Sequence, residues 1–453
     1  MAAPAPLFPC DTIVAVATPM GAGALGVVRV SGPAALDVVA PLLRSALRAQ
    51  PSHTLRRVTL VDPTRDEVLD EALCAVMRAP RSYTGEDVVE LSCHGSPALL
   101  RAVVALVVDH GARLAAPGEF TRRAYLNGRL DLAQAEAVAL LIGARTQRAV
   151  ALAARALAGG LSEPLRVVRD TLVDLIAGLE VTLDFPEEGV GLDTTDAITR
   201  VTALRATVQR HLDSARHGRV VHDGLTVALV GAPNAGKSSL LNALLGRERA
   251  IVSPVAGTTR DVVESTVALA GVPVRLLDTA GLGTARDPIE AEGMRRTALA
   301  MDEADLLLVV LDASTPPDVA VLERTAGGQR IVVLAKSDLP AHPLCADLDD
   351  GVAVSSVTGA GVDALLKLVT DEVHARAALE GDEGGIVASL RQLDVLAALV
   401  ASLSAAEGAL GAAPLEAALV DLHEALGHVA QLLGTEVADA VLDRIFSTFC
   451  LGK

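Results

Sequence analysis

The sequence predicts an α/β plus all-α protein: an N-terminal α/β domain, a helical domain, and a second α/β domain with a mainly parallel sheet inserted into the helical one. Three observations predict it. From about residue 218 to 379, near-continuous apolar runs alternate with helix-length segments, the pattern of parallel strands buried on both faces. Long Ala/Leu/Arg stretches with 3.6-residue periodicity flank that region on both sides. Ahead of them, short β-rich runs broken by Gly and Pro alternate with amphipathic segments.

Taken in order, residues 12–17 and 26–30 read as strands, 34–47 as an amphipathic helix, and 88–92 and 98–109 as a strand followed by a helix. From about 121 to 216 the spacing predicts long helices, for example over 133–156 and 165–183. Strands are expected at 225–230, 272–277, 305–311, 330–335 and 351–355. The acidic, Gly-bearing 380–385 reads as a linker returning to helical texture from Ser389 onward. The expected domains are 1–118, 119–217 (helical, first part), 218–380 (inserted) and 381–453 (helical, second part).

Composition limits the function classes. At 453 residues, 51% hydrophobic and 21% charged, the chain is globular and long enough for two or three cores. A net charge of -17 argues against non-specific coating of nucleic acid, while a local basic groove for RNA stays open. With no Trp and 2% aromatics, a broad base-stacking platform is not expected. No apolar run approaches the roughly 20 uncharged residues of a bilayer span, and the N-terminus lacks a secretory pattern. The expectation is a cytoplasmic protein without membrane contact. The five cysteines form no C-x-x-C pair, so neither a disulfide framework nor a zinc site is predicted.

Of 39 Lys and Arg residues only four are lysines: Lys237, Lys336, Lys367 and Lys453. Lys is kept where a compact ammonium is required that a planar guanidinium cannot imitate. Gly231-Ala-Pro-Asn-Ala-Gly236-Lys237-Ser238 fits G-x-x-x-x-G-K-[ST] between an apolar strand and a helix-forming run. Asn234, Ala235, Gly236, Lys237, Ser238 and Ser239 therefore read as phosphate-binding, with Lys237 on the β- and γ-oxygens and Ser238 on Mg²⁺. Asp278-Thr279-Ala280-Gly281 ends the next strong strand, where Asp278 can hold Mg²⁺ through water and the Gly281 amide can meet the γ-phosphate. Gly257-Thr-Thr-Arg-Asp261 lies between and offers Thr259 to Mg²⁺. Ala335-Lys336-Ser337-Asp338 stands where GTPases place N-K-x-D, with Asp338 on the guanine N–H edge and the Lys336 stem over the base. Ala335 replaces the expected Asn, which predicts looser nucleotide binding. Leu282 occupies the place of the usual water-orienting Gln, so another group must orient water, with Glu290 and Glu292 as candidates.

With those residues in place the chain resembles the tRNA-modification GTPases of the MnmE (TrmE) family along nearly its whole length. The resemblance runs through 11–19, Val28-Arg-Val-Ser-Gly32, Tyr83-Thr-Gly-Glu-Asp87, Pro117-Gly-Glu-Phe-Thr121, 124–136 and the terminal Phe449-Cys-Leu-Gly-Lys453. It implies an N-terminal dimerising domain that binds a 5,10-methylene- or 5-formyl-tetrahydrofolate-type donor near Arg29, Glu90, Arg129 and Lys453. It implies a homodimer joined to an MnmG-like flavoprotein in a heterotetramer or larger assembly, acting on tRNA. It also implies K⁺-stimulated GTP hydrolysis through dimerised GTPase domains, with K⁺ held by Asn234 and by Ser253, Val255 and Thr258 of the following loop. Glu290 then becomes the water-orienting residue, and Cys450 a residue of the modification site. The alternative reading is a GTP-binding factor for ribosome or complex assembly, whose N-terminal domain serves only dimerisation.

Overall fold

In the computed structural model, the residues described are 11–185, 191–247, 263–279, 288–346, 348, 350–377, 385–450 and 452–453. Two compact units divide the chain: Met1–Ala139, Leu157–Ala206 and Asp394–Lys453 form one, and Leu140–Ala156 with Thr207–Leu393 the other.

The first unit opens with β1 (Ile13–Val16), β2 (Gly23–Ser31), α1 (Ala35–Val39), β3 (Thr54–Asp62), β4 (Glu67–Met77), β5 (Val88–Gly95), α2 (Pro97–Asp109) and β6 (Arg113–Leu114). Its six strands lie in the order β3-β4-β5-β2-β1-β6, antiparallel apart from the β1–β6 pair. One face packs on α1 and α2 through Val28, Val30, Cys74, Val76, Leu91, Leu100 and Val103. The helix expected over 34–47 stops at Val39. Pro41 has no N–H to continue the ladder, and the chain goes on as a 3₁₀ turn. Ser96 caps α2 by accepting from the Leu99 N–H, with Pro97 at the first helical position.

Then come α3 (Glu119–Leu126), α4 (Leu132–Gly143), α5 (Gln147–Leu157), α6 (Ser162–Asp184) and α7 (Thr194–Asp223). The single helix expected over 133–156 is two. Thr146 accepts from the Ala149 N–H at 3.2 Å and starts α5 afresh, an N-terminal cap that periodicity alone does not register.

The second unit carries β7 (Leu225–Val230), α8 (Lys237–Arg247), β8 (Val263–Leu269), β9 (Val272–Asp278), α9 (Pro288–Glu303), β10 (Leu306–Asp312), α10 (Val319–Arg324), β11 (Arg330–Ala335), α11 (Pro343–Ala346), β12 (Gly351–Val354) and α12 (Val362–Ala377). The strand order is β12-β11-β10-β7-β9-β8, parallel except for β8 against β9. Alternate side chains of β7 and β10 enter two separate cores: Val227, Leu229 and Leu308 meet α8 and α12, while Ala228, Val230 and Val309 meet α9 and α10. Strands covered on both faces must be apolar at every position, which is why they read as continuous runs.

The chain closes with α13 (Leu390–Ala412), α14 (Leu415–Leu433) and α15 (Asp439–Ser447). Helices α14 and α6 pack together, and Leu172, Leu175 and Leu179 of α6 and Leu422 and Val429 of α14 are buried. By length and composition α13 alone among the described helices could cross a membrane. Its Glu407, however, accepts from Thr202 and Arg205 of α7, and Leu396, Leu399 and Leu403 are buried, as in a bundle helix.

Candidate nucleotide and tail sites

The loop after β7 has the shape its sequence requires. Gly236 sits at φ +103, a backbone region that favours glycine, and Asn234 at φ +61. Helix α8 begins at Lys237, so Ser238 and Ser239 lie in its first turn beside N–H groups without intrahelical acceptors. Ala235 is buried beneath the loop. The Lys237 ammonium is buried and donates to the Gly231 and Ala232 carbonyl oxygens at 3.2 and 2.9 Å. Burial pushes its pKa down, and Asp278 pulls against that shift. A buried cation hydrogen-bonded to neutral carbonyls is prepared for an anion.

Asp278 ends β9, beside the loop. Its Oδ2 accepts from the Ser238 hydroxyl at 2.6 Å, while its buried Oδ1 has no hydrogen-bond partner among the described residues. An orphaned carboxylate oxygen next to a serine hydroxyl suits a hard divalent cation. Thr279 is buried, and its hydroxyl donates to the Leu229 carbonyl at 2.7 Å, tying the end of β9 to β7. Ala280, Gly281, Ser253, Val255, Thr258 and Thr259 lie outside the described residues.

The base-side loop follows β11. Asp338 accepts from the buried Ser355 hydroxyl at 2.6 Å, and Ser355 Oγ also accepts from the Val357 and Thr358 N–H groups. Lys336, at φ +59, donates to Asp312 Oδ2 at 2.6 Å. The two border a cavity of about 260 Å³ that Asn234, Ala235, Thr315 and Asp318 also line. Sequence reading missed Asp312; its one signal was an acid closing an otherwise apolar strand.

Glu290 falls in the first turn of α9, and its side chain lies outside the described residues. Glu292 is engaged: it accepts from Arg295 and Arg296, which hold its carboxyl down at about 2.

In the other unit, the terminal segment folds back onto the first sheet. Arg29, opposite Glu90 in the β2–β5 ladder, donates from Nε to Glu90 Oε1 at 2.7 Å and from NH1 to the Gly452 carbonyl at 3.1 Å. Its guanidinium lies 5.3 Å from the Tyr83 ring centroid and 5.6 Å from that of Phe120. Lys453 is in electrostatic reach of this group. Burial lowers its pKa, the Arg29 charge adds to that, and Glu90 and Cys450 oppose it. A cation destabilised this way gains from an anionic ligand. Arg129 is exposed, and its Nε donates to the Ser82 carbonyl at 3.1 Å. Cys450 is exposed, whereas burial pushes Cys74 and Cys93 up to about 12. Its carbonyl accepts from the Gly118 N–H.

A family model described as "GTP-binding protein TrmE N-terminus" matches residues 12–129, and one described as "MnmE helical domain" matches 132–450. Proteins named "tRNA modification GTPase MnmE" from Thermus thermophilus, Moorella thermoacetica and Koribacter versatilis are 44%, 43% and 43% identical to this chain. Each comparison covers 98% of it and 99% of the relative.

The chain belongs to the MnmE (TrmE) family of tRNA modification GTPases. It is a P-loop GTPase with GTP as substrate, and it takes part in tRNA modification. Among solved structures it is similar to Era of Aquifex aeolicus, 28% identical over 39% of this chain and 66% of that one, with a TM-score of 0.28.

Proposed function

We propose that the chain is the GTP-driven switch of a two-protein tRNA-modifying machine. With an MnmG-like flavoprotein it builds a 5-carboxymethylaminomethyl-type group on the wobble uridine. The observation that carries the nucleotide half is the juxtaposition of buried Lys237 with the Ser238–Asp278 pair and its unpartnered Oδ1. Ser238 and Asp278, with Thr259, would hold the Mg²⁺ that neutralises charge on the β- and γ-phosphates. Lys237, freed from two neutral carbonyls, takes the same oxygens. Asp338 reads the guanine N–H edge, and the Lys336 stem covers the base.

Leu282 cannot orient water, and Glu292 is tied to two arginines, which supports Glu290 in that role. Asn234 with Ser253, Val255 and Thr258 would bind K⁺ where charge develops on the transferring phosphoryl group, in a pair of GTPase domains brought together by dimerisation. In the other unit, Arg29 and Lys453 offer positive charge to the glutamate tail of a tetrahydrofolate-type donor, Glu90 can accept from its pterin N–H groups, and Cys450 lies exposed in the same tail segment. Arg129, bonded to the carbonyl of Ser82 next to Tyr83, would add a further positive charge for the donor.

The test is steady-state GTP hydrolysis in KCl against NaCl, with Glu290→Ala alongside, and a 5-formyl-tetrahydrofolate titration of wild type and Arg29→Ala. Hydrolysis strong in K⁺ alone and lost in Glu290→Ala, together with folate binding lost in Arg29→Ala, is the expected result. Equal rates in both salts, or folate binding indifferent to Arg29, would overturn the respective half of the reading.

A further inference from the structure

The position that precedes Lys336 is Ala335, where GTPases place Asn, and Ala335 is buried at the end of β11. Its Cβ lies 3.5 Å from where a Cβ on Gly236 would stand, so a side chain longer than Ala's would reach the phosphate-binding loop. An amide here could hydrogen-bond that loop and hold the base-side loop against it. A methyl group cannot. Lys336 nevertheless keeps a left-handed backbone at φ +59, a conformation that a non-glycine residue adopts only when its surroundings compensate.

A contact to Lys336 comes from the neighbouring strand. Asp312 closes β10 in register with Ala335 of β11. Its Oδ1 accepts from both the Ser314 N–H and hydroxyl, at 3.0 and 2.6 Å, which fixes the carboxylate in one orientation. Its Oδ2 faces Lys336 Nζ at 2.6 Å across the wall of the 260 Å³ cavity. The side chains of Asp312 and Lys336 are 17% and 36% exposed, so the pair is more shielded than an ordinary surface bridge. Burial raises the Asp312 pKa, but bonds from Lys336 and Ser314 outweigh it and keep the carboxyl below its usual range.

We propose that Asp312 is the positioning residue for the base pocket, clamping Lys336 over the purine where Ala335, lacking an amide, provides no tether between the loops. The inference rests on the reading that Lys336 and Asp338 hold the base. The Asp312 carboxylate is engaged by Ser314 and Lys336, so it acts on the standing of the pocket and not on the chemical step.

The experiment is a double-mutant cycle in the full chain with Asp312→Asn, which retains an oxygen acceptor for Ser314, and Ala335→Asn. KM and kcat for GTP are measured for all four proteins, along with the Tm of each without nucleotide. Asp312→Asn should raise KM about tenfold, equivalent to about 1.4 kcal/mol, with kcat within about twofold and Tm unchanged. Adding Ala335→Asn should recover most of that KM, while in the wild-type background it should change KM little. An unchanged KM, a kcat that falls in step with a lowered Tm, or an equal effect of Ala335→Asn in both backgrounds would overturn the proposal. Asp338→Asn, assayed with GTP against XTP, checks the underlying reading separately. A preference shifted to XTP with no effect of Asp312→Asn defeats this inference alone; an unshifted preference defeats the base-pocket reading and this inference with it.

Discussion

Lys237 is a cation whose charge the protein disfavours until an anion arrives: buried, shifted down by desolvation, and bonded to two neutral carbonyls. Its replacement by Ala should lower kcat/KM for GTP on the order of a hundredfold or more, as expected when a preorganised charge is removed from a phosphoryl site. Asp278→Asn should act differently. It keeps the shape but weakens the free Oδ1 as a ligand, so half-maximal hydrolysis should require about tenfold more Mg²⁺; an unchanged Mg²⁺ titration would remove Asp278 from the metal site. At this scale the sequence was legible where a residue type is chemically irreplaceable, as for Lys237 and Ser238. Asp312 was not legible, since an acid at a strand end carries no mark of its partner until β10 and β11 lie side by side.

Elements decide how the terminal segment reaches the sheet. Gly452, at φ +89, leaves no room for a side chain: a Cβ there would lie 2.4 Å from the Val16 carbonyl oxygen and 2.8 Å from Ala17 Cα. Gly452→Ala should therefore displace the segment, release the Arg29 contact to its carbonyl and abolish folate binding, while GTP hydrolysis in the other unit stays within about twofold. Parallel loss of both activities would mean the two units do not fold independently of the tail. The same scale shows why some predicted elements changed. Helix periodicity continued through 133–156 and 34–47, but a Thr146 cap split the first and Pro41 ended the second. Strands β3 and β8 intersperse Arg, Glu and Thr, so no long apolar run announced them, while in β4 the acidic first half masked the apolar run that ends it.

At the scale of the whole molecule, a charge network among the described residues joins segments far apart in the chain. Arg123, only 6% exposed, bonds Asp11, Glu86 and Glu119, and Arg113 bridges Asp11 and Glu119. Burial pushes the Glu119 carboxyl up, yet Arg113, the Ala116 N–H and Arg123 outweigh it and leave the pKa below its ordinary 4.5; Asp11 is lowered in the same manner. A carboxyl depressed in the folded state stabilises it fully above the unfolded pKa and loses that contribution as pH falls through the folded value. Resistance to urea should thus be level above about pH 4.5 and decline below it, and Glu119→Gln should flatten the acid decline while lowering stability near neutrality. An acid limb identical in the variant would show that this network does not set it.

What the sequence by itself determined is whatever depends on local chemistry: the phosphate loop with its glycine-dependent backbone, the doubly buried strands around it, the helical flanks, and the family. Those features are written in consecutive residues, because a turn, a strand or a cap is specified by neighbours. What only the tertiary structure decided depends on residues far apart in the chain. Arg29 meets Glu90 and Gly452, Ser238 meets Asp278, and Lys336 meets Asp312, pairings made when sheets and segments close on one another. A side chain's type limits what it can bind, but its partner is chosen by the packing of backbone elements that a linear reading does not contain.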